Sequence, residues 1–395
     1  MKQVDIAIIG GGLVGASLAL ALQQSASERG WSIALIEPYA PGNQYQPSYD
    51  VRASAITLGS AQIYQQLGIW QQVAEKAEPI LGIEVSDRGH FAGGRISASR
   101  EQVPALGYVV ENAWLGHCLW QALDQPCINW HSPARVERLS ANTEGYLLQL
   151  DNGEQLQSRL CIIADGGRSS LREQLGIHVE QRSYRQSAII STLSPELPHN
   201  GLAFERFTDI GPMALLPLPD QRCVLIWTRP PEIAEHLIQL DEPQFLAELQ
   251  DCFGYRLGRL LKIGSRHLYP LSLNLSSEQI RRNLVVLGNA AHSLHPVAGQ
   301  GYNLSLRDAM SLAQHLIRSQ QPLGELSVLQ DYLASQQRDQ DLIIGFSDRA
   351  TRLFSNDHKL LTVGRNLGLL GLDMFPPAKA AFARYAMGLG AVSTE

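Results

Sequence analysis

Near its N-terminus the chain runs Gly10-Gly11-Gly12-Leu13-Val14-Gly15, and nothing else in it restricts the fold as much. The glycines stand between an apolar run, Val4 to Ile9, and an Ala- and Leu-rich stretch, Leu13 to Gln24. The run has the unbroken hydrophobicity of a strand buried on both faces, and the stretch consists of strong helix formers. In such a strand–turn–helix, Gly10 permits the tight turn, Gly12 lets a pyrophosphate reach the backbone, and Gly15 lets helix and strand pack closely. The helix start then offers free N–H groups and partial positive charge to the phosphates. Gly30 ends the unit, and a second buried strand, Ser32 to Ile36, leads to Glu37, whose carboxylate suits ribose hydroxyls and repels a 2′-phosphate. These features predict a dinucleotide site; spacing alone does not separate FAD from NAD.

The remaining strands of such a domain lie far along the chain. Leu156 to Ala164 reads as a strand leading into Asp165-Gly166-Gly167, and Asn283 to Leu287 as another leading into Gly288-Asn289. Asn303 to His315 has helical spacing of Leu304, Leu306, Met310 and Leu312. Residues 180–275 differ: Phe204–Thr208, Pro212–Leu218 and Cys223–Trp227 alternate and are separated by Pro, Asp and Gly, which are antiparallel-strand signals. The expected fold is α/β, a parallel nucleotide domain assembled from 1–80, 105–178 and 280–340. A β-rich substrate domain (81–104 and 179–279) is inserted, and 341–395 forms a helical C-terminus.

With 395 residues the chain can bury a substantial core, and its composition excludes disordered, collagen-like and coiled-coil classes. A net charge of −6 with no basic run argues against a nucleic-acid partner. Cys118, Cys127, Cys161, Cys223 and Cys252 are scattered without C-x-x-C, which fits thiols in a reducing compartment and no metal site. The charge-free stretch Ile6 to Ser27 holds three consecutive glycines and follows Asp5, so a signal peptide or membrane span is not expected, and the chain reads as cytoplasmic.

Further polar stretches mark the sheet's carboxyl edge, where such folds bind ligands. Arg52, in Asp50-Val51-Arg52-Ala53-Ser54-Ala55, reads as lying in a polar loop before a helix, either paired with a phosphate or with Asp50. Asp165 and Asn289 each follow a buried strand directly. In His295-Pro296-Val297-Ala298-Gly299-Gln300-Gly301-Tyr302-Asn303, a rigid Pro and two glycines lead into a helix whose start would aim N–H groups into the cleft. A reduced flavin, anionic along one edge, suits that place. His292 follows its strand too closely to face a substrate and is read as structural.

Taken in order, G-x-G-x-x-G, D-x-R-A-S-A, A-D-G-x-x-S and G-N-A-A-H…H-P-x-A-G-Q-G-x-N resemble the class A FAD-dependent aromatic hydroxylases over essentially the whole chain. The H-P-x-A-G-Q-G-x-N stretch resembles their ubiquinone-biosynthesis branch. Val85–His90, Phe204–Phe207, Phe253–Gly258 and Val363–Asn366 are similar to members of that branch that act on polyprenyl methoxyphenols. The resemblance implies FAD, transient reduction by NAD(P)H, and O2 reacting at flavin C4a to a hydroperoxide that hydroxylates a phenol ring. It implies that Gly10, Gly12 and Gly15 hold the pyrophosphate, Glu37 the adenosine ribose, and Arg52 and Asn112 the phosphate and ribityl region. Val136 would lie at the adenine, Asp165 on the flavin side, and Asn289 at the ribityl or pyrophosphate region. Gly301, Tyr302 and Asn303 would meet the isoalloxazine edge, and Pro296 would face the space between flavin and substrate.

His295 and the Pro296 carbonyl are the candidate acceptors of the substrate proton, with a loop-bracing role for His295 as the alternative. Relatives usually carry Asp at Asn289 and Gly at Ser305. A small soluble phenol such as a hydroxybenzoate, or a flavin reductase reaction, is the rival reading. The apolar terminal stretch Leu360–Leu389, with Arg365, Lys379 and Arg384, is read as docking peripherally on the inner membrane or on other ubiquinone-biosynthesis proteins. A packed helical terminus or a homo-oligomer interface accounts for the same composition.

Overall fold

The computed structural model describes residues 1–39, 52–87, 93–123, 125–208, 210–294, 299–354, 384 and 387–389. Five parallel strands form the centre of one sheet, in the order Leu284–Val286, Gln155–Ile163, Lys2–Ile9, Ile33–Ile36 and Ile128–His131. Both faces of this sheet are covered. Ile6, Ile8, Ile33 and Leu35 face one core, shared with the helices Leu13–Arg29 and Gln300–Arg318. Ala7, Ile9, Ala34 and Ile36 face the other. Residues of both parities are therefore apolar, as the unbroken hydrophobic run requires. The antiparallel pair Val136–Asn142 and Gly145–Leu150 extends from Gln155–Ile163.

Among the described residues the second sheet has nine strands and is antiparallel except where Leu202–Phe207 runs parallel to Gly82–Asp87. Its two faces differ. Ile189, Leu215, Leu225 and Trp227 pack under the helices Pro231–Gln239 and Glu242–Phe253, where Phe245 and Leu249 are fully buried. The alternate residues Ile190, Leu216, Val224 and Ile226 face the other way. Opposite them lies a small antiparallel sheet of Ala53–Thr57, Gly107–Glu111 and Ala77–Ile80. Arg52 thus precedes a strand rather than a helix. The strand forms because Ala53 to Thr57 finds Gly107–Glu111 to pair with, and the helix begins only at Leu58.

Two pieces stitch the sheets together. His292–Ser293 pairs with Asn274 and Leu275 at the edge of the large sheet, directly after the strand Leu284–Val286 and its Gly288–Ala290 turn. The helix Leu326–Phe354 packs along Gln300–Arg318, and its Asp348 accepts a hydrogen bond from Tyr184 at 3.2 Å. Among the described residues no helix is long and apolar enough to cross a membrane.

Candidate active site

The Gly-rich turn packs as the sequence requires. Gly10 has φ +107°, and a Cβ there would stand 2.4 Å from the Ala164 carbonyl oxygen. A Cβ on Gly15 would stand 1.9 Å from the Gly10 oxygen, so helix and turn touch backbone to backbone. Gly12 differs: its missing Cβ faces open space, with nothing within 4 Å. The first bond of the helical ladder runs from the Ala16 N–H to the Gly12 oxygen (2.9 Å), and no side chain caps this end. Bare backbone, uncapped N–H groups and open space beside Gly12 are what a pyrophosphate needs.

Glu37 closes the other side of the turn. It is 2% exposed, and its carboxylate accepts from the Gly11 N–H at 2.8 Å and the Tyr39 N–H at 3.4 Å. Its carbonyl accepts from the Ala134 N–H (3.0 Å), which ties the segment entering Val136 to this corner. The Val136 side chain itself is buried in the core under the sheet.

Asp165 abuts Gly10 and Asn289 lies one loop away, both at the carboxyl edge of the parallel strands. Asp165 is exposed at the rim of this edge, and desolvation by the protein around it pushes its carboxyl up to about 6. A hydrogen bond from Ser169 and the charge of Arg172 pull the other way. Arg172 is 3% exposed and donates to the Gly167 oxygen (2.7 Å) and the Ala290 oxygen, locking the two loops together. The sequence reading passed over Arg172. It stands three residues after Ser169, which caps its short helix, and a surface arginine would look the same in sequence.

Arg52 and Asn112 are neighbours: the Asn112 N–H donates to the Arg52 oxygen at 2.9 Å, and Ser54 Oγ donates to Asn112 Oδ1 at 2.8 Å. The Arg52 guanidinium also lies over the Tyr269 ring, 5.2 Å from its centroid, so the residue leading into the strand Ala53–Thr57 touches the large sheet.

The helix Gln300–Arg318 also starts without a side-chain cap, from Gly299. Gly301 lies in its first turn, where a Cβ would meet only the Leu294 side chain at 3.8 Å. Two expectations for this helix need correcting. Asn303 is fully buried. Its Nδ2 donates to the Ala55 (2.9 Å) and Gly299 (2.7 Å) oxygens, and its Oδ1 accepts from the Thr57 N–H (2.8 Å) and Ser60 Oγ (2.7 Å). With both of its amide atoms engaged, the side chain is a clamp between helix and strand and is not directed at a flavin edge. Tyr302 also points inward, its hydroxyl bonded to that of Tyr64, and burial pushes it up to about 12. What this helix start still offers a ligand is backbone. His295 and Pro296 lie outside the described residues, as do residues 88–92 and 355–383.

His292 is structural, as read. Its Nε2 is 2.7 Å from Asp308 Oδ2, with both side chains buried, and Gln340 adds a bond to the same oxygen at 3.1 Å. Among the described residues no cluster of His, Cys, Asp or Glu suits a metal ion.

The family model described as "FAD binding domain" matches residues 3–340. The chain is 36% identical to the ubiquinone hydroxylase UbiL of Rhodospirillum rubrum, over 98% of this chain and 90% of that one. It is 32% identical to the 3-demethoxyubiquinol 3-hydroxylase of Escherichia coli, over 98% and 99%. The fold is shared with p-nitrophenol 4-monooxygenase PnpA of Pseudomonas putida, at TM-score 0.80 and 15% identity over 99% of both chains. Two uncapped helix starts, an open Gly12 and the buried carboxylate of Glu37 fit FAD, the group this family carries. The chain belongs to the FAD-dependent aromatic monooxygenases, in the family of the ubiquinone-biosynthesis hydroxylases.

Proposed function

We propose that the protein hydroxylates the ring of a polyprenyl methoxyphenol, taking a 2-polyprenyl-6-methoxyphenol to the 1,4-benzoquinol in ubiquinone biosynthesis. The observation that carries this reading is the half-buried apolar face that the large sheet turns towards the small one. Ile190, Leu216 and Ile226 are only half-buried there, facing Ala53 and Ala55 of the strand that Asn303 clamps to the helix start. An apolar wall beside the strand Ala53–Thr57 would accept a prenylated ring and shed water from the space in which the ring is hydroxylated. The names of the two curated relatives refer to ubiquinone-type rings, which supports the same substrate class.

FAD, reduced by NAD(P)H, supplies the electrons that activate O2. The roles proposed for this chain's residues are binding and orientation. Gly12 and the N–H groups after it take the pyrophosphate, Glu37 the adenosine ribose, and the Val136 segment the adenine end. Arg52, Asn112, Asp165 and Asn289 border the ribityl region, and the Gln300–Tyr302 backbone N–H groups meet negative charge on the flavin.

A hydroxybenzoate would need an arginine to fork its carboxylate. Arg182 is held by Glu180 and Asp348, and Arg222 by Glu111 at 3.1 Å. Arg206 has a partner as well, and Arg185 stands exposed at a bulge of the strand Val179–Pro195. The test is to offer FAD-loaded protein NADH or NADPH, O2 and either 2-prenyl-6-methoxyphenol or 4-hydroxybenzoate, with products identified by mass spectrometry. Hydroxylated product from the prenylphenol alone is expected. Hydroxylated benzoate, or NAD(P)H oxidation without oxygen insertion, would overturn the reading.

A further inference from the structure

One contact to the Gly-rich turn comes from a residue that no motif includes. Trp120, on the helix Asn112–Ala122, donates its indole N–H to the Gly11 carbonyl oxygen at 2.9 Å. The N–H of the same glycine donates to Glu37 Oε2 at 2.8 Å. Gly11 is therefore held at both of its backbone polar groups, by side chains from two different elements.

The geometry of a trans peptide gives this a consequence. The C=O of one residue and the N–H of the next lie in one plane and point in opposite directions. With the Gly11 C=O turned to Trp120, the Gly12 N–H must point away from Trp120. The next donors along the chain are the first N–H groups of the helix Leu13–Arg29, which lie outside the helical ladder. The Gly11–Gly12 peptide is flanked by glycines, which impose little conformational preference of their own, so a flip of this plane is resisted chiefly by side chains that hold it. Trp120 is itself fixed: its ring lies against Trp130 at 4.6 Å between centroids, and the Trp130 indole N–H reaches the Leu123 oxygen at 3.4 Å.

We propose that Trp120 is a positioning residue for FAD, fixing the Gly11–Gly12 peptide so that the Gly12 N–H faces the pyrophosphate before the cofactor arrives. The proposal rests on the pyrophosphate lying at the Gly10–Gly15 turn. A preset donor avoids the loss of affinity that ordering the peptide on binding would otherwise cause.

The experiment measures FAD dissociation by flavin fluorescence, and the melting temperatures of apo- and holoprotein, for wild type, Trp120→Phe, Trp130→Phe and Gly12→Ala. Phe at 120 keeps a ring against Trp130 and removes only the indole and its N–H. One neutral hydrogen bond corresponds to about a five- to tenfold weaker FAD affinity. Trp120→Phe is expected to show that loss and a smaller gap between apo and holo melting temperatures, with the apoprotein melting nearly as wild type. Trp130→Phe, which perturbs the same ring pair but leaves the Trp120 N–H in place, is expected to change FAD affinity less than twofold.

Equal losses in both Trp variants, or an unchanged gap in Trp120→Phe with both melting temperatures lowered, would make Trp120 a packing residue and overturn the proposal. Gly12→Ala separates the premise: its Cβ enters open space, so the apoprotein should fold, yet FAD should bind at least a hundredfold more weakly. Normal FAD binding by Gly12→Ala would remove the pyrophosphate from this turn, and the role of Trp120 with it.

Discussion

Replacing Asn303 with Asp changes one NH2 group to an oxygen at a site with no room for error. The amide donates to the Ala55 and Gly299 oxygens at 2.9 and 2.7 Å, and both become oxygen–oxygen contacts in Asn303→Asp. The bonds accepted from Thr57 and Ser60 survive. Each lost bond is worth about 1 kcal/mol, and leaving its buried partner unsatisfied adds about 1–2 kcal/mol, so the variant should lose about 4–6 kcal/mol at pH 8. The new carboxylate is shielded from water and faces two carbonyls, so its folded-state pKa must rise. A carboxyl that binds its proton more tightly when folded makes stability fall as pH rises. Protonated, it can donate one O–H, so part of the loss should return towards pH 5. Urea unfolding of both proteins at pH 5.5 and 8 measures this difference. A variant within about 1 kcal/mol of wild type at pH 8, or a deficit independent of pH, would refute the clamp.

Asp165 carries the same sign of linkage in the wild-type chain. Its carboxyl titrates near 6 when folded against an ordinary value of 3.8, so its contribution to stability should fall as pH rises from about 4 through 6 and level off above 7. The stability difference between wild type and Asp165→Asn, followed by denaturation across that range, isolates the effect. Gly15→Ala would put a methyl 1.9 Å from the Gly10 oxygen, with backbone on both sides, and should cost at least about 3 kcal/mol and abolish FAD retention; thermal unfolding and bound-flavin absorbance both read it. Ile226→Ser removes apolar surface from the half-buried face of the large sheet, worth about 2 kcal/mol of contact with a prenyl chain, so KM for the prenylphenol should rise about thirtyfold while FAD affinity holds.

The features legible in the chain alone are those whose partners are close in it. The turn at Gly10–Gly15, the helix after it and Glu37 form one continuous strand–turn–helix–strand, so local propensity and glycine spacing were enough to read it. The same holds for the strands before Asp165 and Asn289, whose apolar runs signal burial wherever they end up, and for the antiparallel segments that alternate because one face meets helices.

Tertiary structure decided where side chains point once distant segments meet. Asn303 and Tyr302 stand at a helix start that could serve a flavin, but Ala55 and Thr57 lie 248 and 246 residues away, and their backbone claims the Asn303 amide. Tyr64 takes the Tyr302 hydroxyl in the same way, from 238 residues away. Arg52 lies before a strand because Gly107–Glu111 arrives to pair with it, which no local pattern around Arg52 announces. Arg172 and Trp120 act through carbonyls of remote loops. A carbonyl is the same group in every residue, so no residue type at the accepting position could have marked them. Local propensity follows from the chain's own covalent order, whereas the direction of a buried polar group follows from which unsatisfied donor or acceptor folding brings within 3 Å.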